Sequence, residues 1–184
     1  LGDQLFIVII GCGEVGYNLA KMLCYEHHDI VIIEQDAERI KQAQDHLDVK
    51  VMQGSGTDFD LLDKAGINKA DMLVAVSNSD EVNILACVIA NEYNVKRKVA
   101  RVKNRKFLNE DAPINSKNLN IDLIIHPESE VAKAVVKLLR QTAATDILEF
   151  ADGKIILIGI QLDKTTELID ITMAEAATEY SHLD

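Results

Sequence analysis

The run Leu5-Phe6-Ile7-Val8-Ile9-Ile10, followed directly by Gly11-Cys12-Gly13-Glu14-Val15-Gly16, decides how the rest of the chain is read. Six apolar residues, three of them Ile and one Val, suit a strand buried on both faces. Glycines spaced as in this loop, between a strand and a helical pattern, form a phosphate-cradling turn. The first Gly permits the turn, the second lets a pyrophosphate approach the backbone, and the third lets the helix pack on the strand. The helix start then offers N–H groups and partial positive charge to an anion.

Working outward, five more short apolar runs follow: Ile30–Ile33, Val49–Met52, Met72–Val76, Val99–Val102 and Ile121–Ile125. Helical stretches of about 10–15 residues are expected between them, the usual crossover for parallel strands. The alternation predicts an α/β fold, a Rossmann-like doubly wound sheet of six parallel strands. A last helix is expected from Pro127, with Glu128 and Glu130 in its first turn, running through Val131–Leu139. Beyond it, Ile147–Phe150, Asp152-Gly153 and Ile155–Ile160 read as a β-hairpin. Thr172 with Glu175 reads as a capping box opening a short helix. The expected organisation is a nucleotide-binding domain over residues 1–142 and a partial C-terminal α+β lobe over 146–184, with the boundary near Thr142–Asp146.

Composition bounds the function. The 184 residues carry a net charge of -11 and no Trp, and 48% are hydrophobic. That charge opposes nucleic-acid binding, which needs a basic face, and adhesion to an anionic membrane. It leaves open docking on basic loops of a membrane protein. No apolar run approaches about 18 residues, so no direct membrane insertion is expected. The three cysteines, Cys12, Cys24 and Cys87, have no framework spacing and suit a reduced compartment. No secretory pattern follows Leu1.

Candidate ligand residues cluster at the carboxyl ends of the strands, where open α/β sheets bind ligands. Glu34 ends the second strand and suits the two hydroxyls of an adenosine ribose. It would repel a 2′-phosphate, and Gln35, Asp36 and Ala37 supply no cation, so NAD(H) is expected over NADP(H). Glu14 places a carboxylate in the phosphate loop, disfavouring a triphosphate, unless it turns to solvent. Gln53–Asp58, including Gly54 and Ser55, would flank the adenine. Ser77 and Asn78 follow the fourth strand and offer polar groups to the second ribose. Arg101 near the end of the fifth strand is either a phosphate partner or half of a salt bridge with Asp80 or Glu81.

These residues resemble a known family. Gly11–Gly16, Glu34, Gln53–Asp58 with Leu62 and Ala65-Gly66-Ile67, Ala70–Val76, Ser77–Asn83 and Ala100-Arg101-Val102 together resemble the N-terminal domain of the RCK family, regulators of potassium conductance. Within it, the peripheral NAD-binding subunits of Trk-type potassium uptake systems are the nearest likeness. The likeness runs over about residues 5–142. It implies NAD contacts at Gly11, Cys12, Gly13, Glu14, Val15, Glu34, Ser77, Asn78 and Arg101. It implies a cytoplasmic place at the inner face of the cell membrane and a homodimer stacking into larger rings. It also implies a Trk-type channel or transporter membrane subunit as partner, gated by the ring. The family's C-terminal lobe is longer than 146–184, so a truncated lobe is expected. Some members bind ATP or ADP instead, often with Arg where this chain has Glu14.

Two helices look too apolar for a solitary domain. Ile84–Ala90 has no polar residue, and Val131–Leu139 carries two adjacent apolar stripes. Both are expected at subunit contacts or buried against the C-terminal lobe. An oxidoreductase is the rival class, but no Tyr-x-x-x-Lys spacing or metal-ligand cluster occurs. His126 is the one histidine expected near the cleft. Cys12 reads as a small loop residue or as a nucleophile. The expectation is therefore binding without turnover.

Overall fold

The computed structural model describes residues 4–108, 115–140, 146–150, 155–159, 171–172 and 174–175. The chain divides into two compact units, Leu1–Glu130 and Val131–Asp184.

The first unit is built on six parallel strands: β1 (Phe6–Ile10), β2 (Asp29–Glu34), β3 (Lys50–Gln53), β4 (Met72–Ala75), β5 (Arg97–Arg101) and β6 (Leu123–Ile125). Their order is β3-β2-β1-β4-β5-β6, so the chain winds outward in both directions from β1. The reversal falls between β1 and β4, where crevices form at the carboxyl edge of such sheets. The register runs Ile10↔Ile33 on one side of β1 and Ile10↔Ala75 on the other, which brings three strand ends level.

Alternation of side chains divides the core into two layers. Val8, Ile10, Val31, Ile33, Leu73 and Ala75 face one side, with Leu62 of α3 (Phe59–Ala65) and Ala86, Cys87, Ile89 and Ala90 of α4 (Asp80–Glu92). Ile7, Ile9, Ile30, Ile32 and Val74 face the other, against Ala20 of α1 (Glu14–Tyr25) and Ala43 of α2 (Ala37–His46). Each fully buried Ile or Val contributes about 1.5–3 kcal/mol of transfer free energy. Small residues on the helices let them approach the β-branched sheet closely, which is how a core without Trp reaches full density.

The strands fall within two residues of their expected places, but two connections differ from expectation. Seven-residue α3 is stopped by Gly66 at φ 84° and followed by a 3-10 turn at Ile67–Lys69. Between β5 and β6 the described residues hold only a 3-10 turn, Arg105–Leu108, and turn residues at 116–120. Neither connection is the helix of 10–15 residues that the spacing predicts.

The fifth helix, α5 (Pro127–Arg140), opens with Pro at its first position and acidic Glu128 and Glu130 in its first turn. In the second unit, β7 (Asp146–Phe150) pairs antiparallel with β8 (Ile155–Gly159), the hairpin expected from the sequence. Its Asp152-Gly153 turn lies outside the described residues, as does most of the expected boundary at Thr142–Asp146. The Thr172 and Glu175 capping box forms: Thr172 N–H and Oγ1 donate to Glu175 Oε2 at 2.7 and 2.8 Å, and Glu175 N–H donates to Thr172 Oγ1 at 3.3 Å.

Candidate functional site

At the carboxyl edge the hydrogen-bond ladder continues one residue beyond the strands. Gly11 N–H donates to Ile33 O at 2.8 Å, Val76 N–H to Ile10 O at 2.9 Å and Gly54 N–H to Glu34 O at 2.9 Å. These bonds form the floor of a cleft of about 250 Å3, lined in part by Gly11, Gly13, Glu34, Arg39, Ser77 and Asn78.

The glycine loop is fixed by contact as well as by turn geometry. Gly11 has φ 96°, and a Cβ there would stand 2.8 Å from Ser77 Cα. A Cβ on Gly16 would stand 2.0 Å from Gly11 O, so only hydrogen allows α1 to seat on the loop. Gly13 precedes α1 with no side-chain cap. By contrast Asp36, Asp58 and Ser79 cap α2, α3 and α4 with their own oxygens. The first N–H groups of α1 therefore have no side-chain cap, the condition in which a helix start can take an anion.

Glu34 is buried and faces inward. Its Oε2 accepts Cys12 N–H at 2.5 Å, and its Oε1 accepts Gln35 N–H at 2.7 Å and Asp36 N–H at 3.0 Å. Its carboxylate therefore fastens the glycine loop to the end of β2. Across the cleft, Ser77 is held by Asn83, which is fully buried and also donates through Nδ2 to Arg101 O at 2.8 Å. One amide thus ties the ends of β4 and β5 to α4. In the sequence only the family resemblance points to Asn83; its place four residues into α4, bonded to two strand ends, is what gives it this role.

Of the expected contact residues, Gly11, Gly13, Glu34, Gly54, Ser77 and Asn78 line the cleft. Cys12 and Gly16 are buried behind its wall, and Ser55 bonds Thr57 Oγ1 at 2.9 Å instead. Glu14 and Val15 are exposed in the first turn of α1 and do not line it. The helix start turns Glu14 to solvent, so its charge is not inside the loop. Arg101 also stands outside the lining residues. Its Nη1 donates to Ser77 O at 3.4 Å, and its buried Nε has no hydrogen-bond partner. The alternative salt bridge does not form. Asp80 accepts the N–H groups of Lys103 and Asn104, and Glu81 accepts the Ser79 hydroxyl.

Cys12 is no activated nucleophile. Burial pushes its thiol up, the Glu34 charge pushes the same way, and Arg39 opposes both. His126 does not line the cleft either. It caps α5, its Nδ1 accepting Ser129 N–H at 3.2 Å, beside Glu128 Oε2 at 3.3 Å. Among the described residues no group of three or more His, Cys, Asp or Glu could hold a metal ion.

Arg39 was not anticipated. It lies in the first turn of α2, where side chains tilt back toward the helix start. That tilt carries its guanidinium to the glycine loop. A cation five residues after Glu34 was the available signal.

The profile of the TrkA-N domain matches residues 7–127, about two thirds of the chain. The chain belongs to the TrkA-N family. The matched TrkA-N segment runs from β1 to the start of α5 and so includes every residue lining the cleft. A Trk system potassium uptake protein TrkA from Azorhizobium caulinodans is 35% identical over 172 residues, 92% of this chain and 38% of that protein. A TrkA homolog 1 from Methanosarcina mazei is 38% identical over 170 residues, 88% of this chain and 41% of that protein. The chain thus spans about two fifths of the length of these relatives. The fold is shared with a GsuK channel bound to NAD, at a TM-score of 0.61 and 18% identity, covering 82% of this chain and 26% of that one. No helix among the described residues is long and apolar enough to cross a membrane.

Proposed function

We propose that this TrkA-N chain is the nucleotide-sensing part of a cytoplasmic regulatory subunit of a potassium uptake transporter. It binds NAD(H) without turning it over. The observation that carries the reading is the cleft itself, lined by Gly11 and Gly13 after β1, the Glu34 carboxylate at the β2 end and Ser77 and Asn78 after β4. The Gly13 amide and the uncapped start of α1 suit a diphosphate, and Glu34 suits an adenosine ribose. The names of the relatives supply the transporter, and the NAD-bound GsuK channel shows a ligand of this kind on the same fold.

Regulation follows if the ligand binds two subunit arrangements differently and shifts their populations. The arrangement we favour is a homodimer stacking into rings beneath a Trk-type membrane subunit. On α4 the outward Leu85 is 49% exposed, with half-buried Ile84 and Val88 beside it, an apolar strip left over after the sheet is covered. Turnover would need a base or acid near the nicotinamide, and His126 and Cys12 do not supply one.

Calorimetric titration with NADH, NAD and ATP tests the ligand, and incubation of NADH with carbonyl acceptors tests turnover. Micromolar NADH binding with no loss of reduced-nicotinamide absorbance is expected. Steady oxidation would establish an enzyme, and a failure of any dinucleotide to bind would remove the sensor. An ATP or ADP sensor is the second reading. It is favoured by one observation: Glu14 is exposed on α1 and so does not repel a further phosphate from within the loop. ATP binding tighter than NADH would establish it.

A further inference from the structure

Two opposite charges meet at the β2 end of the cleft, and neither neutralises the other. Glu34 has three of its roughly four lone-pair positions occupied by the amides of Cys12, Gln35 and Asp36. Oε1 carries two of these donors and Oε2 one, so Oε2 keeps a position for one ribose hydroxyl while the second hydroxyl lacks a carboxylate oxygen of its own. Arg39 lines the same cleft as Gly13 and Glu34, and its Nη1 lies 3.6 Å from where a Cβ on Gly13 would be. Among the described residues the guanidinium has no ion pair and no side-chain hydrogen bond, and none joins it to Glu34. Its N–H fork is therefore open toward the cleft.

We propose that Arg39 is a specificity-determining residue that admits a phosphate on the 2′-oxygen of the adenosine ribose, so that the cleft takes NADP(H) as well as NAD(H). The inference deepens the dinucleotide reading and rests on it. A carboxylate at the end of β2 rejects a 2′-phosphate, whereas an Arg nearby accommodates one. Here both are present, and the carboxylate is already engaged while the Arg is not. A planar guanidinium donates to two phosphate oxygens at once, which a ribose hydroxyl cannot exploit to the same degree. Gln35, Asp36 and Ala37 offer no cation, but α2 begins one residue after Asp36, and its first turn delivers one.

The test is a set of titrations on the same chain with NADH, NADPH, ADP and adenosine 2′,5′-bisphosphate, in the parent and in Arg39→Met and Arg39→Lys. NADPH is expected to bind the parent within about tenfold of NADH. Arg39→Met should weaken NADPH and the 2′,5′-bisphosphate by about 10–100-fold and NADH by less than about threefold, with Arg39→Lys between. An unchanged melting temperature in Arg39→Met shows that the fold is kept. If Arg39→Met weakens ADP, NADH and NADPH alike, the guanidinium serves the diphosphate and the proposal is overturned. It is also overturned if the parent binds NADH and rejects NADPH by more than about 100-fold. NADH binding with NADPH rejection sinks this proposal alone; no dinucleotide binding at all sinks the sensor reading with it.

Discussion

Asn83 and Ser77 are joined by three hydrogen bonds. Ser77 N–H and Oγ both donate to Asn83 Oδ1, at 2.9 and 2.7 Å, and Asn83 Nδ2 donates to Ser77 O at 3.1 Å. The loop after β4 thus has its conformation set from inside the domain, by a side chain that no solvent reaches.

Replacing Asn83 with Leu, which keeps the branched skeleton but is bulkier and has no polar atom, should cost about 2–4 kcal/mol, because buried backbone groups at Ser77 and Arg101 lose their partners. The same change should weaken nucleotide binding by releasing Ser77. Urea denaturation followed by NADH titration checks both; a stability loss below about 0.5 kcal/mol would mean water replaces the amide there.

The glycines of the loop should separate by mechanism. Gly16→Ala drives a methyl into Gly11 O and should destabilise the fold by about 2–3 kcal/mol. Gly13→Ala meets nothing closer than Arg39 Nη1 at 3.6 Å, and Gly13 already has φ -71°, so its melting temperature should be unchanged. Its methyl nevertheless occupies the approach of the diphosphate, and NADH should bind about tenfold more weakly. Thermal melts and calorimetry on the two variants decide this; equal losses of stability would refute the distinction.

Alkaline stability should depend on Cys87. Burial pushes its thiol up from 9.0 to about 12. An acid whose pKa is raised by folding stays protonated in the native state while the unfolded chain ionises. Its contribution is therefore complete below pH 9 and lost as pH rises toward 12, at about 1.4 kcal/mol per pH unit. Cys87→Ala should lower stability at pH 7 through the cavity it leaves, yet show a shallower decline above pH 9. Denaturation curves at pH 7, 9, 10 and 11 test this, and parallel declines in both proteins would refute it.

Self-association should depend on the outward face of α4. Leu85→Glu removes exposed apolar surface and should leave stability within about 0.5 kcal/mol. Sedimentation should show a smaller average mass for the variant than for the parent. An identical mass distribution would place the contact elsewhere.

The strands were legible because burial on both faces demands unbroken β-branched runs, as in Ile7–Ile10 and Ile30–Ile33. The glycine loop was legible because its function is written in missing side chains. The short connections were not read from apolar spacing, although Gly66 marks the stop of α3. Arg39 escaped because its neighbours in sequence are not its neighbours in space. A helix start folds residue 39 back over residue 13, and strand ends alone do not reveal that. The direction of Glu14 stayed open in the sequence for the same reason, since one residue of phase at a helix start separates a loop-facing side chain from a solvated one.

The amide-to-carbonyl bonds that carry the β-ladder past Ile10, Ile33 and Glu34 leave the bottom of the cleft no independent freedom. Opening it means breaking into the central strands, among the most costly local excursions a domain of this kind can make. Amides there should be among the slowest to exchange with deuterium, with or without ligand. On the sensor reading proposed above, mechanical work from an arriving nucleotide would then be delivered sideways, into rotamers on the helix starts and the loop after β4, and a message leaving this domain would travel through its walls.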